Sequence, residues 1–186
     1  MLLKIWSGTK QPGPGGSGDS KRKIILTKGK NLNSMDLQEG SKAPLFTGTD
    51  QDGNKVSLKD FIGKKVVIFF YPKDDTPGCT AQACNLRDNY TLLKKKGFEI
   101  IGISPDEEKS HKKFEEKFDL PFRLIADPKH TILNKYGVWK QKKMFINVYM
   151  GVHRTTFVLD EKGKIIKIFT RPKTSAHAEE IIAAVK

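Results

Sequence analysis

An apolar run of β-branched and aromatic residues, Val66–Tyr71, ends at Pro72, and a helix-like pattern begins seven residues later at Cys79. A run of that composition is the signature of a central strand buried on both faces. Between the two lie a polar turn, Lys73-Asp74-Asp75-Thr76, and the pair Pro77-Gly78. The chain is therefore expected to pass from buried strand to helix here, with Cys79 at or near the helix N-terminus. Backbone N–H groups are unpaired at that end, and the helix dipole favours negative charge. Such positions favour thiolate over thiol, which is the form that attacks electrophiles.

The rest of the chain alternates in the same way. Leu45–Thr49 and Lys55–Ser57 flank Gln51-Asp52-Gly53-Asn54, a hairpin signal. The spacing of Ala83, Leu86, Tyr90 and Leu93 predicts a helix over Thr80–Lys95, closed by Gly97. Phe98–Ile103 reads as a second buried strand. Ser104-Pro105-Asp106-Glu107-Glu108 starts a helix that carries Phe114 and Phe118. Leu120–Ala126 reads as a short strand, and Asp127-Pro128 opens a small helix ending near Tyr136-Gly137. Arg154–Leu159 and Lys164–Phe169 form another hairpin around Asp160-Glu161-Lys162-Gly163, and Thr174–Val185 a last helix. Strands alternating with helices imply parallel pairing, followed by a closing antiparallel hairpin. The expected fold is α/β and thioredoxin-like, a central mixed sheet flanked by helices.

Residues 1–34 stand apart. They hold seven lysines and arginines against one acid, a net +6 of the total +13, and a Pro/Gly/Ser-rich stretch, Gln11–Ser20. The stretch reads as a flexible linker. Met1–Trp6 is too short and too charged for a signal-peptide core, and one arginine is too few for a transit peptide. The expected division is a disordered extension at 1–34, a cloning remnant or an upstream in-frame addition, and one folded domain at 35–186. No apolar run approaches the ~20 residues of a membrane helix. The basic charge admits nucleic acid as a partner. The lysines, however, fall in helix-surface clusters such as Lys94-Lys95-Lys96 and Lys112-Lys113, without interleaved aromatics for base stacking. Neither a nucleic-acid nor a membrane partner is expected.

Cys79 and Cys84 are the only cysteines. Two are too few for a secreted disulfide scaffold. Their spacing is not C-x2-C, and His111, His130, His153 and His177 form no ligand-spaced cluster, so a zinc site is disfavoured and the histidines read as surface or packing residues. On an intact helix, residues five apart have Cα atoms about 8–9 Å apart, beyond the ~4.4–6.8 Å of a disulfide. If the two bond, the first turns must unwind. A pair with that requirement makes a poor static staple and a good switch. One chemistry open to it is attack of the Cys79 thiolate on an O–O bond to give a sulfenic acid, then attack by Cys84 to close a disulfide, and reduction by an external dithiol.

The segment Pro72-x-x-x-Thr76-x-x-Cys79 resembles the active-site motif of the peroxiredoxins. With Cys84 five residues on, followed by Leu86-Arg87-Asp88, it is similar to the peroxiredoxin Q group, also called bacterioferritin comigratory protein. The resemblance runs from about Met35 to the end and includes Arg154 in Gly151-Val152-His153-Arg154-Thr155-Thr156. It implies that Cys79 is the peroxidatic cysteine and Cys84 the resolving one. Thr76 would hydrogen-bond the thiolate and the attacked peroxide oxygen, Pro72 would shield the thiolate, and Arg154 would hold it charged and stabilise the polarised O–O bond. Read from position alone, Thr76 could be a helix N-cap, Pro72 a strand terminator, Arg154 a surface charge and Arg87 a helix-face ion pair. Where family members often carry a glycine-lysine pair before the arginine strand, this chain reads Met144-Phe145-Ile146-Asn147-Val148-Tyr149-Met150-Gly151. That apolar stretch bears on the local loop and on substrate preference or a partner contact.

The expected function is that of a cytoplasmic, thioredoxin-recycled peroxidase acting on hydrogen peroxide and organic hydroperoxides. It needs no cofactor, since sulfur supplies the two electrons, and a monomer suffices because resolution is internal. Two rival readings are a thiol–disulfide oxidoreductase acting on proteins and a basic binding protein with an incidental cysteine pair.

Overall fold

The structure, a computed structural model, describes residues 37–144 and 146–185. The expected extension at 1–34 lies outside them. A seven-stranded sheet runs in the order β2-β1-β5-β4-β3-β8-β9. At its centre β3 (Lys65–Phe70) pairs parallel with β4 (Phe98–Ser104), and β4 pairs parallel with β5 (Arg123–Ala126). The closing hairpin, β8 (Thr155–Leu159) and β9 (Ile165–Phe169), adds antiparallel to the other side of β3. The first hairpin, β1 (Thr47–Asp50) and β2 (Lys55–Ser57), docks antiparallel on β5 at the opposite edge. The result is the α/β, thioredoxin-like arrangement expected from the sequence, a central mixed sheet flanked by helices.

Alternation along β3 divides the core. Val66, Ile68 and Phe70 face one layer with Phe46, Leu133, Tyr136 and Phe157. Val67, Phe69 and Tyr71 face the other, with Cys79, Ala83, Leu86 and Leu93 from the helices that follow. Full burial of a side chain of this size stabilises by about 1.5–3 kcal/mol, so Cys79 sits on a rigid floor. Gly102 in β4 lets the strands close up: a Cβ there would lie 2.7 Å from Phe69 Cζ.

The predicted helix over Thr80–Lys95 is two helices, α1 (Pro77–Asp88) and α2 (Tyr90–Lys95), interrupted at Asn89. The start lies earlier than the apolar pattern suggested because Pro77, with its fixed φ and missing N–H, occupies the first turn. Beyond β4, α3 (Glu108–Phe118) follows the acidic start, and α4 (Thr131–Lys135) hangs from the Asp127 carboxylate, which accepts from Thr131 and Leu133 N–H. The last helix, α5 (His177–Ala184), is shorter than predicted. Sequence reading missed a third hairpin, β6 (Trp139–Met144) with β7 (Asn147–Val152), in the stretch read as a loop. No alternation marks it, because Val148, Tyr149 and Met150 are all exposed.

Candidate active site

Cys79 is the third residue of α1 and is 1% exposed, while Cys84, five residues along the same helix, is half-buried. Both are free thiols. Arg154 leaves the sheet just before β8 and reaches over the start of α1. Its Nη2 donates to Cys79 Sγ at 3.2 Å and its Nη1 to Gln82 Oε1 at 2.7 Å. The same Nη2 passes 3.4 Å from where a Cβ on Gly78 would stand. A lone guanidinium at a helix N-terminus opposes the helix dipole. An anion placed between the two would make both interactions favourable.

Thr76 occupies the N-cap position of α1 without making a capping bond. Its Oγ1 instead donates to Lys73 C=O at 3.1 Å, across the turn before the helix. Pro72 is half-buried and follows Tyr71 just past the end of β3. The structure thus joins Cys79 to Arg154, keeps Thr76 one turn before the sulfur with its proton given to Lys73, and leaves Cys84 outside this cluster. The continuous helix between the cysteines holds them apart, as their spacing required.

Sequence reading missed two residues of the site. Gln82 is fully buried and its Oε1 fixes the guanidinium, while its Nε2 has no hydrogen-bond partner among the described residues. Its i, i+3 relation to Cys79 was the available signal. Lys142, on β6, lies half-buried in the same field. Burial, then the neighbouring charge of Arg154, push its amine below the usual lysine range, while Cys79 pulls the other way. Its place was invisible without the hairpin. Arg87 proves to be anchored: Nη1 donates to Phe118 C=O at 2.7 Å and Nη2 pairs with Asp88 at 2.8 Å. Among the described residues, no cluster of His, Cys, Asp or Glu could hold a metal ion, and no helix is long and apolar enough to cross a membrane.

Comparison with known proteins agrees with this geometry. Residues 40–168 match the AhpC/TSA family. The chain is 44% identical over 150 residues to peroxiredoxin Bcp of Escherichia coli, covering 81% of this chain and 96% of that one. It is 41% identical over 152 residues to peroxiredoxin Bcp of Bacillus subtilis, covering 82% and 97%. Among solved structures it is similar to the Xanthomonas campestris bacterioferritin comigratory protein described for alkyl peroxide reduction, with a TM-score of 0.71 and 31% identity over 75% of this chain and 88% of that one. The chain belongs to the AhpC/TSA family, in its Bcp and peroxiredoxin Q branch, and is a thiol-dependent peroxidase that takes a peroxide substrate and a thiol reductant.

Proposed function

We propose that Cys79 is the peroxidatic thiol and Cys84 the resolving thiol of an internal disulfide cycle. The Cys79 thiolate attacks one peroxide oxygen, an S–O bond forms, the O–O bond breaks, and water or alcohol leaves with a proton. Arg154 holds the sulfur anionic beforehand and meets the negative charge that develops on the parting oxygens. Thr76 donates its proton to Lys73 C=O and so keeps lone pairs to accept from the peroxide O–H. Pro72 shields the sulfur from bulk water. Cys84 then attacks the sulfenic sulfur, water departs, and an external dithiol reduces the disulfide by exchange. The observation that carries this reading is the 3.2 Å contact from Arg154 to a buried sulfur in the first turn of a helix.

Hydrogen peroxide and small organic hydroperoxides are the proposed substrates, thioredoxin the reductant, the monomer the working unit, and the cytoplasm the compartment. The alkyl peroxide activity described for the Xanthomonas relative supports the organic substrates. The extent of the family match supports a catalytic domain over 35–186, to which residues 1–34 contribute no activity. The test is a coupled assay with hydroperoxide, thioredoxin and its reductase, on the full chain and on a chain starting at Met35. Equal, peroxide-dependent turnover is expected, with a Cys79–Cys84 peptide on mapping of the oxidised protein. Absence of that peptide during turnover overturns the resolving role.

A further inference from the structure

The turn that delivers Cys79 is held by a buried polar cluster that the cysteine chemistry does not use directly. Asp74 is 7% exposed, and its carboxylate accepts from three side chains: the Tyr71 hydroxyl at 2.8 Å, the Ser110 hydroxyl at 2.7 Å and His111 Nδ1 at 2.9 Å. Its backbone N–H donates to Asp106 Oδ2 at 2.9 Å, and the same oxygen accepts from Ser104 Oγ at 2.6 Å. The end of β3, the end of β4 and the first turns of α3 therefore converge on one turn residue. The carboxylate can only accept, so His111 must carry its proton on Nδ1. Its Nε2 is buried and without a partner among the described residues. Burial, then the charge of Asp74, push the Tyr71 hydroxyl well up, so it remains a donor through the neutral range.

Two features set this cluster apart from ordinary core packing. An apolar core would hold the strand end at less desolvation cost; hydrogen bonds converging on one carboxylate specify one geometry instead. The turn it holds also needs holding. Asp75 is a non-glycine residue at φ 53°, in the left-handed region that costs roughly 1–2 kcal/mol. Such conformations persist where the surroundings over-determine them. The residue after it is Thr76, whose hydroxyl closes back onto Lys73.

We propose that Asp74, with Tyr71, Ser110 and His111, is a positioning cluster that fixes the strained turn carrying Thr76 and so presents Cys79 to peroxide in its reactive geometry. The inference rests on the reading of Cys79 as the attacking thiol. Among the described residues, none of the four hydrogen-bonds the sulfur, whose partner is Arg154. They act through the turn, and they bear on the first chemical step rather than on resolution, which requires the helix beyond the turn to open.

The experiment is the second-order rate constant for Cys79 oxidation by hydrogen peroxide, at a temperature well below each melting point. It compares wild type with Asp74→Asn, His111→Leu, His111→Asn and Ser110→Ala. Asparagine at 111 can place an N–H where Nδ1 stood; leucine cannot. Misplacement of reacting groups by about 1 Å costs up to ~100-fold. Asp74→Asn and His111→Leu are expected to slow the first step at least ~10-fold, His111→Asn to recover most of the loss, and Ser110→Ala to fall between. If Asp74→Asn does not fold, the His111 pair and Ser110→Ala decide the matter. Variants that melt earlier but oxidise within about twofold of wild type overturn the proposal and leave the cluster a stabilising one. A wild-type protein that meets peroxide no faster than a free thiol overturns the Cys79 reading itself, a result separate from any difference among the variants.

Discussion

Cys79 and Cys84 lie on one helix in two different settings. The first half of α1 is gripped around the sulfur: Cys79 is buried, Arg154 reaches it from β8, and Gln82 locks the guanidinium. The second half is gripped by its neighbours instead. Asn85, next to Cys84, accepts from Ala178 N–H at 2.8 Å and donates to Ser175 C=O at 3.2 Å, so a residue of α1 caps the start of α5. Arg87 ties the same half to the end of α3. The contrast teaches where the chemistry divides. The Cys79 end is organised for charge, and its loss should appear in the first step. The Cys84 end is organised by docking, and its loss should appear in stability and in the opening that lets the two sulfurs meet.

The contrast breaks most completely at the sulfurs. Cys79→Ser should abolish peroxide turnover. Cys84→Ser should leave the first reduction at the wild-type rate and accumulate sulfenic acid, seen by trapping with a carbon nucleophile. An unaltered thioredoxin-driven cycle in Cys84→Ser would end its resolving role. Arg154→Ala comes next, because it removes a charged donor from the place where, in the proposed step, charge develops. The first step should slow by about 100–1,000-fold, the range for one such donor, while the rate of disulfide closure stays close to wild type. A first-step rate that does not change with this substitution would mean that the guanidinium is structural.

The Cys84 end should respond in the opposite sense. Asn85→Ala withdraws the cap from α5 and should lower stability by about 1 kcal/mol, read as a lower melting temperature. Disulfide closure should then run as fast as wild type or faster, with the peroxide step unchanged; slower closure would assign Asn85 to the reaction itself. The smallest effect is acid sensitivity of the α5 contact. His177 is fully buried between Thr156 Oγ1 at 2.9 Å and Glu180 at 3.1 Å, and burial pushes its imidazole down. As pH falls below about 6.5, the unfolded chain takes up a proton that the native histidine declines, so stability falls with pH. His177→Gln should flatten the change in melting temperature between pH 7 and 5.

Most of this arrangement was legible in the sequence, for reasons that can be named. Val66–Tyr71 had to be a buried strand, and a helix had to begin at or near Cys79, because apolar runs and the prolines that punctuate them leave few options. The break at Asn89 was not legible, since the apolar spacing from Ala83 to Leu93 continues through it. The β6–β7 hairpin was hidden because both faces of its tip meet solvent, which erases the alternation that marks a half-buried strand. Lys142 was hidden with it. His111 read as packing, and burial agrees. Its partner Asp74, 37 residues away, could be identified only once β3 and α3 were brought together.

The most direct measurement is the rate of thiol loss when fully reduced protein meets one equivalent of hydrogen peroxide at neutral pH, with the intact mass of the product. The account predicts rapid loss of two hydrogens, no such product in Cys79→Ser, and a mass gain of one oxygen in Cys84→Ser. Thiol loss at the pace of an ordinary free cysteine would contradict it and would favour a protein-disulfide substrate for the same pair of sulfurs.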